Sequence, residues 1–254
     1  MTAREIIDYM ESLRNEEQRR VLMGFFKTGP GEYGEGDEFL GLKVPQTREV
    51  VQAAKDIALE EVPTLLMSRW HEVRLCGLLV LVAKFERLAT KRLQNDAAAI
   101  RGRDEILTMY LNHAEQANNW DLVDLSAPKI LGHWLLLPSG LGDRAYKLKV
   151  LDELAQSQCL WRQRMSIVCT WKTSQQGDAS WCLRYAAVHL HHPHDLMHKA
   201  VGWMLREMGK RCSMDLLRDF LRQHAPTMPR TALRYAIEKM SDEERRYWLT
   251  VKEL

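Results

Sequence analysis

Lys199-Ala200-Val201-Gly202-Trp203-Met204-Leu205-Arg206-Glu207, followed by Met208, decides the fold of this chain. Val201, Met204, Leu205 and Met208 recur at spacings of three and four, which puts them on one face of a helix turning every ~3.6 residues. Ile6, Met10 and Leu13 follow the same rule near the amino terminus, and the alternation expected of strands is rare throughout. The pattern predicts an all-α protein. Gly and Pro interrupt it at Thr28-Gly29-Pro30-Gly31 and on to Gly41, at Pro63, Pro138-Ser139-Gly140, Gly177-Asp178, Pro193 and Pro226 to Pro229. Helices of about ten to twenty residues are expected between these breaks.

Outward from the opening stretch, a basic residue followed closely by small ones recurs. It is seen in Val73-Arg74-Leu75-Cys76-Gly77, Trp161-Arg162-Gln163-Arg164-Met165-Ser166, His198-Lys199-Ala200-Val201-Gly202 and Pro229-Arg230-Thr231-Ala232. Arg162, Lys199 and Arg230 lie 37 and 31 residues apart by their numbers, close to the period of HEAT-like helical pairs. Stacked pairs of this kind build a right-handed α-solenoid, expected here as a single domain over residues 1–254 with the basic residues along its concave face. A compact irregular bundle is the competing arrangement.

Composition excludes several classes. A chain of 254 residues with 46% hydrophobic content buries a large core, so disorder is not its main state. Five cysteines, Cys76, Cys159, Cys169, Cys182 and Cys212, are odd in number and contain no C-x-x-C pair, against both a disulfide framework and a zinc ribbon. The opening MTAREIIDYMESLRNEE lacks the apolar core of a secretory signal, so a reducing cytoplasm is expected. The most apolar run, Leu75 to Ala83, is bounded by Arg74 and Lys84 and is far short of the roughly 18 residues that span a bilayer; it reads as a buried helix.

The net charge is only +2, but its distribution is uneven. Lys199 to Lys239 holds nine Lys or Arg against four acids. Such a segment suits phosphate, although solvated basic helix faces satisfy the same count.

Asn118-Asn119-Trp120-Asp121-Leu122-Val123-Asp124-Leu125-Ser126-Ala127-Pro128 is the segment richest in chemistry. Trp120 and Asp124 are one helical turn apart, an aromatic face beside a carboxylate, and Pro128 ends or kinks that helix. In isolation the pair also fits a core tryptophan beside a capping aspartate. Four ordered blocks go further: Gly34-Glu35-Gly36-Asp37-Glu38-Phe39-Leu40-Gly41-Leu42-Lys43-Val44-Pro45 with Arg48, then Asn119 to Asp124, then Leu160-Trp161-Arg162-Gln163-Arg164, then Lys199 to Glu207. Together they make nearly the whole chain resemble the AlkD branch of the DNA alkylation repair glycosylases.

The resemblance implies a solenoid of HEAT-like repeats gripping duplex DNA. It places the family's essential aspartate on Asp124, its two cleft tryptophans on Trp120 and Trp203, and its cleft arginine on Arg164. Lys43, Arg48, Arg162, Lys199, Arg206, Arg230 and Arg234 are the accompanying candidates for DNA contact. The chemistry is compatible with so sparse a set. A purine alkylated at N3 or N7 is cationic, leaves as a neutral base and needs no general acid, so the remaining task is to stabilise positive charge growing on the sugar. One carboxylate does this electrostatically and can orient a water. Tryptophan faces attract the cationic lesion, by about 0.5 to 2 kcal/mol each.

The expected protein is therefore a monomeric, cofactor-free, monofunctional N-glycosylase acting on alkylated duplex DNA. A catalytically silent helical-repeat scaffold, binding structured DNA or a protein partner, is the alternative. His189, His191, His192, His194 and His198 invite a metal reading, but they lack a further ligand at a convincing spacing and Pro193 suggests an exposed loop. Gly34-Glu35-Gly36 has neither a preceding strand nor a Gly-Lys-Ser/Thr and reads as a turn.

Overall fold

The computed structural model describes residues 1–251. All regular structure among them is helical, with one isolated bridge between Glu38 and Trp70. The chain forms two compact units, Met1–Ile130 with Leu137–Leu141, and Leu131–Leu136 with the chain from Gly142 onward.

The first unit contains α1 (Ala3–Ser12), α2 (Glu16–Phe25), α3 (Val44–Ala54), α4 (Val62–Leu66), α5 (His71–Leu88), α6 (Ala97–Asn112) and α7 (Trp120–Ser126). Polar residues set the starts. Thr2 and Glu5 form a capping box on α1, and Asn15 and Asp96 cap α2 and α6 through side-chain oxygens, each such cap contributing about 1 kcal/mol. Helix α5 carries the apolar run from Leu75 and is buried almost all round, so it is the central rod, packed by α3, α4, α6 and α7.

The second unit contains α8 (Leu131–Leu136), α9 (Arg144–Ala155), α10 (Leu160–Val168), α11 (Thr170–Gln175), α12 (Ser180–Val188), α13 (Asp195–Arg211), α14 (Met214–His224), α15 (Arg230–Ala236) and α16 (Asp242–Thr250). Its centre is α13, whose predicted apolar face is buried, with α10, α11, α12, α14 and α15 against it. A Cβ at Gly202 would overlap the carbonyl oxygen of Ala232, so the absence of a side chain is what lets α13 and α15 approach. The helices that begin around Arg162, Lys199 and Arg230 are spatial neighbours in sequence order, α10 on α13 and α13 on α15, as a helical repeat requires.

Two expectations need correction. Many helices are shorter than ten residues, because the apolar period runs through breaks that it does not register: α10 and α11 are separated only by Cys169, which itself keeps helical dihedrals. The histidines around Pro193 are not exposed as a group. His189 is 2% exposed and bonds Ser166, with Nε2 and Oγ 2.8 Å apart, while His192, His194 and His198 are half-buried. Among the described residues no helix is long and apolar enough to cross a membrane.

Candidate active site

Helix α7 is short and owes its position to contacts rather than length, since an isolated seven-residue helix is unstable in water. Fully buried Asn119 caps it, its side-chain oxygen accepting from the Trp120 amide at 2.9 Å. Trp120 occupies the first turn and Asp124 follows one turn later on the same side, both half-buried, while Leu122, Val123 and Ser126 face the core. The helix ends at Ser126, ahead of Pro128, as the proline predicts.

An aromatic column supports Trp120. Its ring stacks on Phe26 with centroids 5.4 Å apart, and Phe26 stacks in turn on Phe39 at 5.2 Å. Phe39 lies on the imidazole of His71 at 4.4 Å. Phe25 meets Trp120 edge-on at 5.9 Å and is itself 60% exposed, so the mouth of the column is apolar and open. Gly34 belongs to this arrangement: a Cβ there would overlap the carbonyl oxygen of Phe26.

Beneath the column is a buried ionic network. His71 Nδ1 donates to Asp37 Oδ2 at 2.7 Å and Nε2 donates to Asp121 Oδ2 at 2.9 Å. Arg74 Nη2 donates to the other Asp37 oxygen at 2.5 Å and to Asn118 Oδ1 at 3.0 Å, while Nη1 donates to the carbonyls of Ser68 and Arg69. Burial opposes charge on His71 most strongly, but Asp121 and Asp37 outweigh it and raise its pKa to about 9, so the ring is an imidazolium at neutral pH. Burial likewise works against the Asp37 carboxylate, yet His71 and Arg74 hold its pKa below the ordinary value. The neighbouring Glu72 carboxylate accepts the amides of Leu40, Gly41 and Leu42 at 2.8 to 3.0 Å. The segment Gly34 to Pro45 and the segment Asn118 to Asp124 are thus joined through the first turn of α5.

This corrects one expectation: Arg74 does not line a surface with the other basic residues but is 4% exposed and spent on Asp37. The sequence signal that could have found the network is His71-Glu72-Val73-Arg74 at the entry to the most apolar helix, since charges carried into a core require partners.

The other candidates in the first unit are exposed. Lys43 is the N-cap position of α3, and Arg48, on α3 itself, lines a hollow of about 300 Å³ with Gln52, Leu79, Val82 and Glu86.

In the second unit Lys199, Trp203 and Arg206 stand at successive turns of α13 and share a face. Trp203 is half-buried; Lys199 pairs with Asp195 at 2.7 Å, and Arg206 pairs with Glu238 and lies 3.5 Å from Glu207. Arg164, on α10, is 5% exposed and its Nη1 donates to the Leu196 carbonyl at 2.7 Å, tying α10 to the first turn of α13. Arg162 is half-buried. Arg230 and Arg234 are exposed on α15, with Arg230 Nη2 donating to the Leu249 carbonyl at 2.7 Å. Among the described residues no group of three His, Cys, Asp or Glu is arranged to hold a metal.

A family described as DNA alkylation repair enzyme matches residues 6–240. The chain belongs to this family. Its role accordingly lies in the repair of alkylated DNA, and its members are enzymes. The fold matches a solved structure described as a "Predicted DNA alkylation repair enzyme from Enterococcus faecalis", with a TM-score of 0.64 over 90% of this chain and 97% of that one. Identity between the two is 13%, so this likeness speaks for the fold of the family. No curated protein matches the chain significantly.

Proposed function

We propose that this family member is a monofunctional N-glycosylase that hydrolyses the glycosidic bond of cationic N3- or N7-alkylated purines, such as 3-methyladenine and 7-methylguanine, in duplex DNA of the cytoplasm. The observation that carries the reading is the pairing on α7 of a half-buried tryptophan with a half-buried carboxylate one turn away, Trp120 and Asp124, above an aromatic column that opens at Phe25.

The chemistry follows from charge. The alkylated purine departs with the electron pair of its own C1′–N bond and becomes neutral, so no residue has to protonate it. Positive charge moves to the sugar as the bond breaks. Asp124 stabilises that charge and orients a water whose oxygen bonds C1′, the released proton passing to the carboxylate or to solvent. The electron-rich face of Trp120 favours a lesion that carries charge over an undamaged base, and Trp203, in the second unit, is the other tryptophan that the family resemblance assigns to this role. Arg164, 5% exposed and held by the Leu196 carbonyl, is the cation assigned to a backbone phosphate, and Lys43, Arg48, Arg162, Lys199, Arg230 and Arg234 supply the salt-dependent remainder, while Arg206 is already neutralised by Glu238.

Incubation with duplex DNA containing single lesions tests the reading. Release of 7-methylguanine and 3-methyladenine, leaving an abasic site in an uncut strand, is expected, with no release of a neutral lesion such as uracil. Salt-sensitive DNA binding without release of any base would instead assign a binding scaffold.

A further inference from the structure

We infer that His71 is a positioning residue for base release: its imidazolium clamps Asp121 against Asp37 and so fixes the first turn of α7, which presents Trp120 and Asp124. The inference rests on the glycosylase reading and adds to it a residue that lies under the site and touches no substrate.

The groups that face the ring come from every element around it. The loop before α3 contributes Asp37 on Nδ1 and Phe39 on one face. Phe26, just after α2, approaches with its centroid 5.0 Å away. Helix α7 contributes Asp121 on Nε2. From α5 itself, Arg74 occupies the remaining Asp37 oxygen and Glu72 is turned away to the Leu40, Gly41 and Leu42 amides. Two cations therefore meet two carboxylates, one of which, Asp121, is carried by α7 beside Trp120.

That balance makes His71 different from an ordinary core residue. A neutral imidazole has one N–H and can donate to only one of the two aspartates. Loss of the second proton would leave the ring one N–H for two carboxylates; Asp37 would keep Arg74, whereas Asp121, the immediate neighbour of Trp120, would lose its anchor. The 2% exposure of the ring excludes a water as a ready substitute. Since Asp121 and Asp124 are carried by one seven-residue helix, a shift of its first turn moves the catalytic carboxylate, and a displacement of about 1 Å can cost about 100-fold in rate.

The test compares single-turnover release of 7-methylguanine at pH 7.5, and DNA binding by anisotropy, for the native chain, His71→Gln, and the charge-balanced pair His71→Gln with Asp121→Asn. The expected result is a rate at least tenfold lower in His71→Gln with affinity within about twofold, and recovery of part of that loss in the paired variant, where no buried carboxylate lacks a partner. A rate in His71→Gln equal to the native rate overturns the inference while leaving the glycosylase reading intact. So does a parallel loss of rate and DNA affinity, which is the mark of a merely structural role. No release by the native chain overturns both. Should His71→Gln fail to fold, the native chain carries the test: nitrogen-15 NMR is expected to show His71 doubly protonated at pH 7.5, and the release rate to fall as that ring deprotonates while helicity persists. A rate that stays level through the deprotonation overturns the inference.

Discussion

Helices α7 and α13 each carry a tryptophan assigned to repair, yet they are held by different means. Helix α13 has seventeen residues, an unbroken apolar face and neighbours on several sides, so its exposed pairs such as Lys199–Asp195 are additions to a structure that stands without them. Helix α7 has seven residues, and besides Leu122, Val123 and the aromatic rings under Trp120 it depends on the buried network of Asp37, His71, Arg74 and Asp121. The lesson is that the short helix needs buried polar contacts in addition to its packing, whereas the long one rests on apolar packing decorated with exchangeable charge.

The difference is sharpest for Glu72. Removing its carboxylate in Glu72→Ala strands the three amides of Leu40, Gly41 and Leu42 in the core, and a loss of about 4 kcal/mol is expected in denaturant unfolding of the first unit. A loss below about 1 kcal/mol would mean that these amides find other partners and that the loop before α3 is not rigidly held.

The next effect is in pH, where the two units are expected to respond in opposite directions. His71 has a folded pKa raised to about 9, so its contribution is complete below its ordinary value of 6.5 and is lost as pH rises from there through about 9. His189, buried against Ser166 and beside His192, has its pKa lowered to about 4, mainly by burial. Its contribution is complete above 6.5 and is lost as pH falls toward 4. Each shift corresponds to something on the order of 3 kcal/mol. Hydrogen exchange, with rates corrected for pH, is expected to show amides of α7 losing protection in alkali and those of α12 and the start of α13 losing it in mild acid. The same direction in both would break the comparison.

Smaller still is Gly202→Ala. The added methyl meets backbone on α15, and a cost of about 2 kcal/mol is expected from thermal or denaturant unfolding of the second unit. The smallest effect is on Arg206. Because Glu238 already neutralises it, Arg206→Ala is expected to weaken DNA affinity by less than about threefold and to change the salt slope by less than one unit. A change of one unit or more would show that Arg206 leaves Glu238 for a phosphate when DNA is bound.

What could be read in advance follows the same division. The period of Val201, Met204, Leu205 and Met208, and the apolar run from Leu75, define the central helix of each unit because burial is local in sequence there. Trp120 and Asp124 were also legible, since a spacing of four is a property of one helix. The network was not: His71 reaches Asp37 across 34 residues and Asp121 across 50, and no period records a partner at such distance. The same reason explains the misread basic residues. Arg74 and Lys199 look alike in their local pattern, and only the fold supplies a buried aspartate to the first and an exposed one to the second. Helix lengths fall short of the expectation because the break at Cys169, whose dihedrals stay helical, leaves the apolar spacing uninterrupted.

In the proposed reaction a single carboxylate on α7, that of Asp124, performs the chemistry. Single-turnover release of 7-methylguanine by Asp124→Asn, measured beside DNA binding, tests it most directly. A rate about 100- to 1,000-fold lower at unchanged affinity is expected, the range associated with losing one preorganised electrostatic group. A variant that releases the base at the native rate would contradict it and move the reaction away from α7.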